Sequence, residues 1–199
     1  MKIGFDFDNT IISYDKAFYM AALEMGWIDP SVAATKTAVR NDLRERGLEE
    51  SWIELQGFVY GARLDLAEPF PGVIDCLSGC LNRDWEVVIV SHKTKHPFKG
   101  PAYDLHAASR RWIEHIGIID SQSVFLELTK EEKCLRIHGE QCDFFIDDLP
   151  EFLSHPQFPE TTRRVLFDHQ KAHVEHRGGD WLIISDWVEA INLLEEASS

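Results

Sequence analysis

Beyond Gly72 the chain alternates short apolar runs with helical segments, and this rhythm narrows the choice of fold more than any other feature. Val73–Leu81 reads as a helix, and Glu86–Val90 as a strand built on a continuous β-branched run. Leu105–Ile116 has the spacing of an amphipathic helix, Ser123–Leu126 that of a short strand, and Glu131–Gly139 that of a further helix. Asp143–Ile146, Arg164–Phe167 and Trp181–Ile184 follow as strands, with a closing helix at Trp187–Glu196. Ile3–Phe5 is a strand at the start of the chain. Strands that are apolar on both faces and separated by helices predict a parallel sheet covered on each side, a doubly wound α/β fold. In such a sheet, ligands collect outside the carboxyl ends of the strands.

One stretch breaks the rhythm. From about Asp15 to Gly61 no convincing strand appears, and the pattern is helical at Ala17–Leu23, Ser31–Gly47 and Glu50–Ala62. Ser31 after Pro30 is placed to cap the second of these helices, and Gly26 and Gly47 to terminate helices. Glu68-Pro69-Phe70-Pro71-Gly72 then punctuates the chain. A small all-helical module at 15–68 is therefore expected inside a core made of 1–14 and 69–199.

The chain has 199 residues, enough for one core domain and a modest insertion. Acids number 34 against 20 Lys plus Arg, a formal net charge of -14 that repels phosphate backbones and argues against nucleic-acid binding. No apolar run is long enough to cross a bilayer, and no basic segment leads into an apolar one at the N-terminus, so membrane association is not expected and the cytoplasm is the expected location. Cys76, Cys80, Cys134 and Cys142 form no C-x-x-C pair, and they read as buried free thiols in a reducing compartment.

Polar residues fall where these strands end. Asp6 and Asp8, in Asp6-Phe7-Asp8-Asn9-Thr10, follow the first strand. Side chains two apart in extended backbone point the same way. Two carboxylates aimed into one crevice repel unless a cation, or work in proton or phosphoryl transfer, accounts for them. Ser91 follows the strand Glu86–Val90, and Asp147-Asp148 follow Asp143–Ile146. In a parallel sheet these ends share one edge, and Lys133 or Lys130, on the first turn of one helix, can reach it.

This set resembles the haloacid dehalogenase superfamily. Asp6-Phe7-Asp8-Asn9-Thr10 matches its first motif, Ser91 its second, Lys133 its third and Asp147-Asp148 its fourth, in order from Met1 to about Phe167. The resemblance implies a Rossmann-like core with a helical cap inserted after the first strand. It implies Asp6 as the nucleophile that forms an aspartyl-phosphate, and Asp8 as the general acid and base. Ser91 would donate to a phosphoryl oxygen, and Lys133 would offset charge on Asp6 and the phosphate. Mg²⁺ would be held by Asp6, the backbone carbonyl of Asp8, Asp148 and Asp147, with the direct ligand of the last pair left open. Thr10, beyond Asp8 and counted with the substrate-binding residues, would brace the turn that aims Asp8; the alternative is a turn-forming hydroxyl with no chemical duty. The alternative for Asp147-Asp148 is a cap on a helix at Leu149–Leu153.

His92 and Lys93 open a loop, His92–Gly100, that carries three lysines and two histidines without an acid. It reads either as a positive funnel for an anionic substrate or as a solvated loop. Asp168, His169, His173 and His176 read as a polar surface loop rather than a metal site, and Trp27, Trp52, Phe58 and Tyr60 mainly as core contacts of the helical module.

The reading that combines these signals is a Mg²⁺-dependent phosphomonoesterase acting on a small phosphorylated metabolite, with sugar phosphates and nucleotides both fitting. Asp8 separates it from dehalogenases, which lack that acid–base residue. The alternatives are a phosphomutase or phosphotransferase using the same residues, and a non-catalytic binding domain on this fold. A nucleotide-binding kinase is set aside because no G-x-x-x-x-G-K-[ST] loop occurs.

Overall fold

A computed structural model describes residues 1–172 and 181–198. In chain order the elements are β1 (Lys2–Phe5), β2 (Ile12–Ser13), α1 (Asp15–Glu24), α2 (Lys36–Glu45), α3 (Glu49–Gly61) and β3 (Glu68–Pro69). They continue with α4 (Val73–Leu81), β4 (Glu86–His92), α5 (Leu105–Ile116), β5 (Val124–Glu127) and α6 (Lys130–Gly139). β6 (Phe144–Asp147), α7 (Pro150–Leu153), β7 (Arg163–Phe167), β8 (Leu182–Ile184) and α8 (Ala190–Ser198) complete the chain. No helix among the described residues is long and apolar enough to cross a membrane.

Six strands form one sheet in the order β5-β4-β1-β6-β7-β8, every neighbouring pair parallel. This is the doubly wound α/β architecture expected from the apolar strands. It arises because β4 buries Val87, Val88, Ile89 and Val90 on both faces at once, which only a sheet covered on each side permits. On one face Val88, Val90, Phe145 and Leu166 pack with Cys134 and Ile137 of α6, Phe152 and Leu153 of α7, and Phe158. On the other, Phe5 and Phe167 pack against Trp187, their ring centroids 5.8 and 4.8 Å away. All of Cys76, Cys80, Cys134 and Cys142 are buried free thiols.

β1 lies at the centre, and Gly4 explains how it fits. Gly4 is in register with Val88 of β4 and Phe145 of β6, so it shares their face. A Cβ built there would stand 2.5 Å from Phe145 Cδ2 and 3.0 Å from Cys142 Sγ. The Phe145 ring fills the space that a side chain would need. Gly4→Ala is therefore expected to destabilise the fold by about 1–3 kcal/mol through overpacking. Denaturant unfolding measures this, and a midpoint equal to the parent's would contradict it.

The chain forms two compact units. The first contains Met1–Ile11, Pro69–His92 and everything from Gly117 onward; the second contains Ile12–Glu68 together with Lys93–Ile116. The second unit is built on α1, α2, α3 and α5. Helix α5 reads in the sequence as one more element of the strand–helix alternation, yet it packs with the helical segment. Trp112 Nε1 donates to the Ala67 carbonyl at 3.0 Å. Gly61 ends α3 so close to Tyr103 that an added Cβ would lie 2.3 Å from that residue's own Cβ.

The boundary of α2 differs from the sequence expectation. Ser31 does not cap it: the Ser31 N–H is held by Asp29 Oδ1 at 2.9 Å in a tight turn. The helix begins at Lys36, and its cap is Thr35, whose Oγ1 accepts from Ala38 N at 3.1 Å.

Candidate active site

Strands β4, β1 and β6 are adjacent, so their carboxyl ends lie side by side at the middle of one sheet edge, all within the first unit. Asp6 extends the β1 ladder through its N–H to the Ile146 carbonyl at 2.8 Å, which places its carboxylate directly beyond the sheet. Phe7 is fully buried and anchors the turn from within the core. Asn9 has φ 58°, in the left-handed region that asparagine tolerates better than most residues, and Ile11 N closes the turn on the Phe7 carbonyl at 3.1 Å.

Asp6 is 5 % exposed and accepts two donors on the same oxygen: Ser91 Oγ reaches Oδ1 at 2.8 Å, and Lys133 Nζ reaches it at 2.7 Å. Lys133 also donates to Asp147 Oδ2 at 2.6 Å, so one ammonium bridges two carboxylates from different strands. Its Nζ lies 4.0 Å from the centroid of Phe152. Burial alone would lower the lysine pKa, but the Asp147 and Asp6 charges outweigh it and hold the ammonium well above its ordinary value. Lys130, the first residue of α6, makes neither bond.

The phase of α6 brings Lys133 inward. Thr129 caps the helix, its Oγ1 accepting from Glu132 N at 3.1 Å while Glu132 Oε2 accepts from Thr129 N at 3.1 Å. This capping box, T-x-x-E in the sequence, starts the helix at Lys130 rather than Glu131. A turn later, Cys134 Sγ contacts His155 Nδ1 at 3.6 Å, which ties α6 to the segment after α7.

Asp147 is fully buried. Burial pushes its carboxyl up to about 6; Lys133 opposes that rise, Asp6 adds to it, and the Leu149 N–H, donating to Oδ1 at 2.9 Å, opposes it again. That bond corrects the helix-cap alternative: α7 begins at Pro150 with Leu149 at its cap position and no side-chain cap bond. Asp148 is half-buried, with Thr10 Oγ1 at a long 3.5 Å from its Oδ1. Thr10 is fully buried, so its hydroxyl meets Asp148 rather than open space.

Oxygens of Asp6, Asp147 and Asp148 lie within 4.8 Å of one another, the one such cluster among the described residues. The carboxylate of Asp8, half-buried, stands outside it. His92 ends β4, exposed, with Nε2 3.1 Å from the Leu128 carbonyl. Lys93 is two residues beyond Ser91 but belongs to the second unit, where it is 5 % exposed. At the end of β7, Asp168 is buried and accepts from Ala172 N at 2.9 Å, and His169 stacks on Phe167. His173 and His176 lie outside the described residues.

No protein-family model matches the sequence, and no curated protein does. Solved structures do. A Had-superfamily hydrolase from Ehrlichia chaffeensis superposes with TM-score 0.62 at 16% identity, over 100% of this chain and 97% of that one. A HAD-superfamily hydrolase of subfamily IA, variant 1, from Geobacter sulfurreducens gives TM-score 0.59 at 13% identity, over 97% and 95%. A phosphoserine phosphohydrolase-like protein from Francisella tularensis gives 0.56 at 13% identity, over 98% and 100%. Sheet order, the adjacency of the three site strands and these superpositions agree: the chain has the fold of the haloacid dehalogenase superfamily.

Proposed function

We propose that this protein is a Mg²⁺-dependent phosphomonoesterase that acts on a small phosphorylated metabolite through an aspartyl-phosphate on Asp6. The observation that carries the reading is Lys133 bridging Asp6 and Asp147, with Ser91 on the same oxygen of Asp6. Both donors meet Oδ1, which leaves Oδ2 for attack on phosphorus. A fixed carboxylate whose charge is balanced by a neighbouring ammonium meets an incoming phosphate at lower electrostatic cost.

Asp6 attacks the phosphorus, and the bond to the leaving alkoxide breaks as Asp8 gives that oxygen a proton. Asp8, now a carboxylate, takes a proton from water, whose oxygen attacks the phosphorus and releases Asp6 and inorganic phosphate. Asp8 on its turn and Asp6 on the strand end thus divide the proton and nucleophile roles. The donor set of hard carboxylate oxygens fits Mg²⁺, and Asp6 and Asp148 with the Asp8 carbonyl would hold it. Asp147, whose oxygens accept from Lys133 and the Leu149 N–H, lies in the same cluster and would stand beside the ion. Bound there, Mg²⁺ would neutralise phosphoryl charge. The module at 15–68 is assigned the role of cap, which excludes water and selects substrate.

A panel of phosphate monoesters, assayed for inorganic phosphate with and without Mg²⁺, tests the proposal. Release from at least one ester with Mg²⁺ and none with chelator is expected. Isomerisation without release would favour a phosphomutase, and inertness toward the whole panel would reject the reading.

The raised pKa of Asp147 adds a pH dependence. The folded, metal-free protein binds that proton more tightly than an unfolded chain with the ordinary value of 3.8, so this group's contribution to stability is full below 3.8 and is lost as pH rises through about 6. Binding of Mg²⁺ must displace the same proton. Affinity for Mg²⁺ is therefore expected to fall as pH drops from 7 through about 6, with proton release detected by calorimetry in buffers of different ionisation enthalpy. Binding that does not change across this window would contradict the placement of Asp147 beside the ion.

A further inference from the structure

One polar contact of the first unit has no part in phosphoryl transfer, although it lies beside the active-site lysine. Cys134 Sγ is 3.6 Å from His155 Nδ1, and Glu131 Oε1 is 3.7 Å from His155 Nε2. A thiol, an imidazole and a carboxylate in that order have the look of a nucleophile with its base. The thiol rules this out. Cys134 is 1 % exposed, and burial pushes it up to about 11, so little thiolate forms at neutral pH.

The ring is instead an acceptor. Gln157 N donates to Nδ1 at 3.2 Å, and a backbone N–H can only donate. Nδ1 therefore carries no proton, the proton of the neutral ring is on Nε2 toward Glu131, and the Cys134 thiol donates to Nδ1 as well. One imidazole nitrogen thus joins α6 to the segment after α7. His155 itself is fixed: its N–H donates to the Phe152 carbonyl at 2.9 Å, and its carbonyl accepts from Phe158 N at 2.9 Å. Arg164 Nε of β7 donates to the Leu153 carbonyl at 2.8 Å, which fastens this segment to the sheet.

Cys134 and Ile137 of α6 also pack with Phe152 and Leu153, but apolar burial has no direction. The thiol–imidazole bond supplies one. It acts on the residue next to Lys133, whose Nζ must meet Asp6 at 2.7 Å and Asp147 at 2.6 Å at once. A shift of Nζ by about 1 Å along either bond carries it out of hydrogen-bonding range, and misplacement on that scale costs about 10²-fold in rate. We propose that His155 is a positioning residue, which through Cys134 sets the rotation of α6 and so places the Lys133 ammonium between Asp6 and Asp147. The effect on turnover rests on the phosphatase reading; the effect on the lysine does not.

NMR of the full chain without ester or metal tests the contact first. With ¹⁵N-labelled histidine above neutral pH, the signal that His155→Asn removes is expected to show its proton on Nε2, and Cys134→Ala is expected to shift its Nδ1 resonance. With ¹⁵Nζ-labelled lysine, the Lys133 resonance, assigned by Lys133→Met, is expected to move in His155→Phe, which keeps a ring without an acceptor. Cys134→Ala serves the same purpose if that protein does not fold. A proton on Nδ1, or a Lys133 resonance that these variants leave in place, would overturn the proposal. In turnover, His155→Phe is expected to lower kcat by about tenfold to a hundredfold with KM within about twofold of the parent. Asparagine puts an oxygen where Nδ1 stands and closes the same turn onto the N–H two residues on, so His155→Asn is expected to recover most of the parent kcat. A folded His155→Phe protein with parent kcat, or His155→Asn as slow as His155→Phe, would also overturn it. A parent whose Lys133 resonance answers to His155 yet which releases no phosphate keeps the positioning role and rejects the phosphatase reading.

Discussion

Asp6→Asn is expected to fold and to lose phosphate release by at least about 10³-fold, the scale seen when a nucleophile is removed from an enzyme whose residues act as a unit. The substitution keeps shape and hydrogen-bonding oxygen. Asn Oδ1 can still accept from Ser91 and Lys133, which now reach Asp6 Oδ1 at 2.8 and 2.7 Å. It removes the charge and the nucleophile together. Because the Asp6 charge helps to raise the Asp147 carboxyl, its removal is also expected to bring that carboxyl down and to ease ionisation at neutral pH. The variant should therefore melt no lower than the parent while showing no turnover. Activity within tenfold of the parent would place the nucleophile elsewhere.

Lys133→Met carries the largest expected effect on stability. Methionine keeps an apolar stem along Phe152 but leaves Asp6 and Asp147, 5 % and 0 % exposed, facing each other without the ammonium. Breaking a buried ion pair by removing one partner costs about 3–5 kcal/mol. For a chain of this size that is a fall in Tm on the order of 10 °C in metal-free buffer. A divalent ion would supply the missing positive charge, so Mg²⁺ is expected to raise the Tm of Lys133→Met more than that of the parent. An unchanged Tm would show that this lysine does not stabilise the two carboxylates. A Mg²⁺ effect equal in both proteins would separate the ion from the cluster.

The features legible in the sequence were those set by local patterns with long-range consequences. β4 reads as a strand because Val87, Val88, Ile89 and Val90 are apolar in succession, and the same succession implies two covered faces. Once parallel pairing is inferred, Asp6, Ser91 and Asp147 must share an edge. The residues alone leave Lys133 and Lys130 open and the resemblance points to Lys133; the structure brings its ammonium to both acids. The T-x-x-E capping box at Thr129 would have argued the same choice, since it sets the phase of α6. The membership of α5 was not legible. Its amphipathic face fits any apolar surface equally well, and only the close approach of Gly61 to Tyr103 and the Trp112 bond reveal which surface it meets. Ser31 misled because a serine after proline caps helices and closes turns alike; the choice depended on Asp29, two residues earlier.

Capture of the covalent intermediate tests the central claim most directly. The full chain is mixed with Mg²⁺ and a phosphate ester it turns over, quenched in acid within the first turnover, reduced with borohydride and mapped by mass spectrometry. The aspartyl-phosphate mechanism predicts reduction at Asp6 alone, and only in protein exposed to both ester and metal. Modification at another carboxylate, or an unmodified Asp6 in protein that is actively releasing phosphate, would contradict it.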